Sequence, residues 1–277
     1  MHSVAHRAAP LLRALGVLAA LTCAGGTAAA GQARAGYTDT PFLPGGQWRV
    51  HDPARPDPPA GTPQRGVPGD TPRPAPRGAV VLFDGTSLAA WRTPDGGAPH
   101  WPIEGGLMVS PAGGGDLESR QHFGDAEVNV EWRLPPRRPE EERSASRANS
   151  GVFLMGLFQV QIFDSYGPDI MYADGQAGAI FGQYPPRVDV CRAPGEWQSF
   201  RIRFWAPRVR GGVVVEPAII TVRHNGVLIH DRVRLLGPTQ HRALAAYGPN
   251  TPTEGPLRLQ GYGRPVAFRN IWVRPLR

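Results

Sequence analysis

From Ala79 onward the apolar positions recur at every second residue, and almost no stretch repeats at the helical spacing. Ala126–Leu134 sets Val128, Val130, Trp132 and Leu134 on one face and Glu127, Asn129, Glu131 and Arg133 on the other. Phe200, Ile202 and Phe204 alternate with Arg201 and Arg203, and Ala79–Phe83 is a short apolar strand closed by Asp84-Gly85-Thr86-Ser87. Gly151–Met155 and Phe158–Asp164 read as two strands parted by Gly156, and Leu257–Gln260 and Val266–Val273 as two more near the end. Ala218–Arg223 and Val227–Ile229 flank His224-Asn225-Gly226, whose Asn-Gly pair favours the type I′ hairpin turn.

Many short strands with Gly- and Pro-rich turns and no intervening helices predict an all-β fold, an antiparallel β-sandwich. The sequence predicts it over residues 78–277 as one domain, with Pro135–Ala148 as a solvated loop. Residues 36–77 have a different texture, of Pro, Gly, Arg and Asp, as in Asp52-Pro53-Ala54-Arg55-Pro56. Such a segment buries too little apolar area to offset its ordering entropy and is expected to be extended or disordered, a linker. Trp48-Arg49-Val50-His51-Asp52 interrupts it, either as a latch that docks on the domain or as an incidental aromatic in a mobile stretch.

Residues 1–35 read as a signal peptide: Arg7 and Arg13, then the apolar run Ala14–Ala24, then small residues at Ala28-Ala29-Ala30 and Ala33-Arg34-Ala35. The run is shorter than the ~20 residues a membrane span needs. The expected location is secreted or periplasmic; Cys23 offers a lipoprotein reading, although Ala20-Leu21-Thr22 suits a lipobox poorly. Without Cys23, Cys191 stands alone and no internal disulfide forms.

The net charge of +7 comes entirely from arginine, since the chain has no lysine. Beyond the signal the arginines are interspersed with acids and form no run that would track a phosphate backbone, which argues against a nucleic-acid partner. Nucleotide loops, serine-hydrolase elbows and zinc spacings are absent, and Glu104-Gly105-Gly106 and Gly113–Gly115 read as turns.

The informative stretch is 149–183. Asn149-Ser150-Gly151 opens one strand, and in Phe158-Gln159-Val160-Gln161-Ile162 two amides share a strand face. Planar amides carry donors and acceptors together, as sugar hydroxyls require; an amide ladder or a solvated face is the plainer reading. Asp164, Asp169 and Asp174 follow, at a spacing unlike an EF-hand; no cofactor is expected, and Ca²⁺ is the ion those carboxylates would suit.

Taken together the segments resemble the 3-keto-disaccharide hydrolase domain. The carriers are Leu82-Phe83-Asp84-Gly85 with Trp91, Glu131-Trp132, Asn149-Ser150-Gly151 and Val160-Gln161-Ile162-Phe163-Asp164. They continue with Asp174–Ile180, Pro194-Gly195-Glu196-Trp197, Asn225-Gly226, Leu259-Gln260 and Phe268-Arg269-Asn270-Ile271. The resemblance implies a concanavalin-like jelly roll and a hydrolase that breaks glycosidic bonds of sugars oxidised at C3. A ketone at C3 acidifies the hydrogen on C2, so that a base removes it, the aglycone leaves C1 and water then adds. Such a site needs a base, an enolate stabiliser and a proton donor for the leaving oxygen.

This chain departs from the family pattern with Gln159 in place of Glu, Phe181 in place of Tyr and Tyr262 in place of His. Asp164 and Glu131 remain as candidate catalytic carboxylates, with Arg269 to steady an oxyanion; Asn149, Gln159, Gln161, Gln260 and Tyr262 are the candidate substrate-binding residues. Arg269 and Asn270 serve equally well to tie the last strand. Trp132 falls on the core face, Trp272 is a candidate sugar stacker, and His51 would supply an imidazole if its segment docks. The expected partner is a carbohydrate, either as substrate or, if catalysis is lost, as the ligand of a carbohydrate-binding module. Oligomeric state is not legible.

Overall fold

The alternation of the sequence becomes two antiparallel layers. The computed structural model describes residues 34–64, 74–141, 147–167 and 171–276. Nearly all of the expected signal, Asp169 and residues 142–146 of the charged loop lie outside them. The strands in chain order are β1 Val80–Phe83, β2 Trp91–Arg92, β3 Ile103–Glu104, β4 Leu107–Val109, β5 Leu117–Phe123, β6 Ala126–Arg133, β7 Asn149–Leu154 and β8 Phe158–Phe163. They continue with β9 Trp197–Trp205, β10 Arg208–Arg210, β11 Val213–Glu216, β12 Ile219–His224, β13 Val227–Arg234, β14 Gly255–Leu259 and β15 Ala267–Pro275.

The larger sheet runs β13-β12-β9-β6-β15-β4-β3 with β1 beside β15, and the smaller runs β2-β5-β14-β7-β8. β10 and β11 form a separate ribbon. The fold is the all-β sandwich that the alternation predicts, of jelly-roll type, with no α-helix among the described residues. No described helix is long and apolar enough to cross a membrane.

The inner faces hold the core. Val128, Val130 and Trp132 of β6 and Phe200, Ile202 and Phe204 of β9 meet Val152, Leu154, Phe158, Val160 and Ile162 of the smaller sheet. Phe158 and Phe204 span the two layers at 5.5 Å between ring centroids. Each such side chain contributes roughly 1.5–3 kcal/mol by leaving water. Asn225 and Gly226 take φ of 48° and 83°, the positive pair that the β12–β13 turn demands. β5 escapes the sequence reading because only Leu117 and Phe123 of its seven residues are apolar.

The front segment takes the docked one of the two forms expected for Trp48–Asp52. Leu43, Val50 and His51 are buried, Thr40 donates to the Val50 carbonyl at 2.6 Å, and Ala60 pairs with Asp189 in a short parallel bridge in which Gly61 N donates to the Asp189 carbonyl. Residues 34–64 therefore lie on the sandwich as a latch. A few buried side chains and hydrogen bonds to a preformed surface suffice to order this extended strip.

Candidate functional site

The site is built on the outward face of the smaller sheet. In β8 the side chains of Phe158, Val160 and Ile162 enter the core, so Gln159 and Gln161 point the other way. β7 pairs with β8 in the register Gly151↔Gln161 and Phe153↔Gln159. Gln159 Nε2 donates to Gln161 Oε1 at 2.7 Å, and Gln161 Nε2 donates to Asn149 Oδ1 at 3.1 Å. The result is a three-amide ladder crossing two strands. Gly151 makes room for it: a Cβ there would stand 2.5 Å from Gln159 Nε2.

β14 extends this floor. Beyond Leu259, Gln260 N donates to the Gly151 carbonyl at 3.0 Å, Ser150 Oγ donates to the Gln260 carbonyl at 2.7 Å, and Tyr262 bridges to Asn149. On the free edge of β8, Gln161 N donates to Ala179 O and Gly178 N to Gln161 O, so that loop 171–184 folds against the sheet. Gln159 N donates to Thr239 Oγ1 at 2.9 Å, which brings His241 alongside.

These segments enclose a hollow of about 440 Å³ lined by Asn149, Gln159, Gln161, Gln260 and Tyr262 on the sheet side. Tyr37, Met171, Tyr172, Phe181 and His241 are prominent in the walls. A few amides within aromatic walls is the make-up of a site for a small polar ligand with apolar ring faces. Among the described lining residues there is no carboxylate.

Tyr37 comes from the latch, whose anchor is His51. His51 and Asp174 are both 0 % exposed. His51 N and Nδ1 lie 3.0 and 3.2 Å from the two Asp174 carboxylate oxygens, and Arg55 Nη1 is 4.0 Å from the same group. His51 adopts φ 58°, a left-handed conformation that non-glycine residues hold only when their surroundings impose it. Tyr172 and Phe181 pack on the His51 ring at 4.1 and 4.7 Å between centroids. Tyr37 N donates to the His51 carbonyl at 2.9 Å.

Arg242 completes the clamp, donating to both Asp39 oxygens at 3.0 and 2.9 Å with its guanidinium 4.2 Å above the Tyr37 ring. The Tyr37 hydroxyl lies 3.5 Å from His241 Nε2. Burial, then His51 and Arg242, hold the His241 imidazole below its ordinary pKa. Burial above all pushes the Tyr172 phenol far up, so it stays protonated.

The five candidate binding residues thus share one hollow, whereas the three candidate catalytic ones do not line it. Glu131 and Arg269 lie on the outward face of the larger sheet, where Arg269 Nε and Asn270 Nδ2 each donate to the Glu131 carboxylate at 2.7 Å. The β6 alternation that buries Trp132 turns Glu131 away from the core on that layer. Asp164, at the end of β8, is gripped by two bonds from Arg137, at 2.8 and 2.7 Å.

Trp272 is buried under the Arg201 guanidinium, which occupies the ring face a sugar would use. Asp164 and Asp174 answer to separate cations, and no group of three or more metal-ligating side chains gathers among the described residues. Tyr37 and His241 escape the sequence reading. Neither belongs to a periodic segment, and the one available signal is that both are polar aromatics in Pro- and Gly-flanked loops.

The sequence model of the 3-keto-disaccharide hydrolase domain, described as a 3-keto-alpha-glucoside-1,2-lyase-like domain, matches residues 78–274. A Parabacteroides distasonis crystal structure of a protein classed by name with the glycosyl hydrolases is 36% identical, covering 73% of this chain and 85% of that one, with a TM-score of 0.67. Another from the same organism, 18% identical over 72% of this chain and 94% of that one with a TM-score of 0.53, shares the fold. No curated protein sequence matches.

Proposed function

The chain belongs to the 3-keto-alpha-glucoside-1,2-lyase-like domain family, and from that premise we propose that it cleaves glycosides carrying a ketone at C3. The observation that supports this most is the Asn149–Gln161–Gln159 ladder on the floor of an aromatic-walled hollow. In the ladder the Gln159 and Gln161 amide nitrogens each give one hydrogen to the next amide oxygen and keep a second. Those remaining donors suit the oxygen of a C3 ketone as it becomes an enolate.

Ordinary glycosidases use two carboxylates about 5–9.5 Å apart across the bond. The described lining holds none, which favours a route that starts at C2 over direct displacement at C1. Loss of the proton from C2 gives the enolate, the C1–O bond breaks with departure of the aglycone, and water adds to C1 of the resulting enone.

A second reading, a carbohydrate-binding module, draws support from the neutral Gln159, which is no base. Incubation with 3-keto-glucosides and measurement of free aglycone separates the two. Turnover is expected in the parent, and Gln161→Leu should lower kcat by roughly 10²–10³-fold, as loss of an oxyanion donor does. A melting temperature raised by sugar without aglycone release, together with activity newly created by Gln159→Glu, would establish the binding module instead.

A further inference from the structure

A hollow built for C2 deprotonation needs a base, and the described lining supplies no carboxylate. Its titratable groups are Tyr37, Tyr172, His241 and Tyr262. Tyr172 is held protonated by burial; Tyr262 and His241 are both exposed at the rim, and of the two His241 is the one in ring contact with the latch, through Tyr37 and His51. The remaining pair, Tyr37 and His241, is in mutual contact at 3.5 Å and fixed from both sides. Tyr37 is fixed through the His51–Asp174 anchor and the Arg242 clamp, and His241 through Thr239 on the backbone of Gln159.

Resting on the reading of the hollow as a 3-keto-glycoside site, the geometry points to His241 and Tyr37 as the proton-transfer pair of the reaction. Nδ1 of His241 takes the C2 proton, and the C–H electron pair becomes the enolate. Nε2–H donates its proton to the Tyr37 oxygen while the Tyr37 hydroxyl proton passes to the glycosidic oxygen, which leaves with the C1–O electron pair. The imidazole finishes neutral, in the other tautomer. Addition of water runs the transfers backward: Tyr37 takes a proton from water as its oxygen attacks C1, its own proton returns to Nε2, and Nδ1–H protonates C2.

No oxidant or metal enters the balance. The charged and titratable groups against His241 are Tyr37 and His51 of the latch and its own neighbour Arg242, itself paired with Asp39, while the 171–184 loop presents the neutral Phe181 ring. His51 and Arg242 both disfavour the imidazolium, which keeps the base competent at neutral pH.

The test uses the full chain with two 3-keto-glucosides, one with a 4-nitrophenyl and one with a methyl aglycone, across pH 4.5–8.5 (roughly the span in which an unperturbed imidazole titrates). The parent should lose activity toward acid along a limb with its midpoint below about 6.5. His241→Gln should slow both substrates by roughly 10²–10⁴-fold and abolish that limb. Tyr37→Phe should slow the methyl glycoside far more than the nitrophenyl one, whose leaving group needs no proton.

Melting curves and binding of unoxidised methyl glucoside show whether each variant keeps its fold and hollow, and His241→Asn serves if His241→Gln does not fold. A parent active on both, with His241→Gln at parental rate or Tyr37→Phe equally slow on both, overturns the assignment while leaving the enzyme reading intact. A parent inactive on both sinks the two together.

Discussion

Gly151 works through the side chain it lacks. Its α-carbon is where the Gln159 amide crosses toward Gln161, and a methyl group there would meet Gln159 Nε2 at 2.5 Å and Cγ at 3.0 Å. Gly151→Ala should therefore swing Gln159 out of the ladder. The cost to stability should be small, about 0.5–1.5 kcal/mol for one hydrogen bond, partly offset by the better strand propensity of alanine. Affinity for a sugar ligand should fall several-fold, and a calorimetric titration that finds it unchanged would show that the ladder does not contact ligand. At this scale the sequence was partly readable. Alternation put Gln159 and Gln161 on one face, but it is blind to pairing across strands and so gave no hint that Glu131 would be spent on Arg269 and Asn270.

Among elements, the latch is the least conventional. It has no helix and only isolated bridges, at Phe42↔Arg49 and Ala60↔Asp189, and is held by a few buried groups around Asp174. Removing one partner of a buried pair leaves the others uncompensated, at a typical cost of about 3–5 kcal/mol. Asp174→Asn should thus release the strip locally while the sheets stay intact. Limited trypsin digestion should cut after Arg49 much faster than in the parent and leave a stable fragment beginning beyond it, Arg55 being shielded by the Pro56 that follows it; equal cleavage rates would show that the strip is held elsewhere. The strands of the core were legible because a period of two is a local property. The latch was legible only as one of two alternatives, and the placing of the 171–184 loop and the 239–242 turn not at all, since each is positioned by partners far along the chain. His51 and Asp174, 123 positions apart, illustrate why.

The whole molecule carries its own dependence on pH. His224 and His230 are buried between the sheets and the covering loops, and burial lowers their pKa values to about 3 and about 4. In the unfolded chain both revert toward the ordinary 6.5, so below that value the unfolded state binds more protons than the folded one. Stability is therefore fully present above about pH 6.5 and falls as the solution is acidified toward 4, by up to about 2.7 kcal/mol per pH unit for the two together. Urea midpoints at pH 7 and pH 5 should differ accordingly, and His230→Gln should flatten the difference; identical midpoints in the parent would refute the burial argument.

The described walls of the hollow come from both within and outside the stretch that carries the family pattern, for Tyr37 lies upstream of residue 78. A lip of that kind can be rewritten without disturbing any strand of the sandwich. Chains with matching domains and different leading text would then share a barrel-maker's blank and differ at the tap: the same floor of amides, a different proton donor, and so a different range of aglycones.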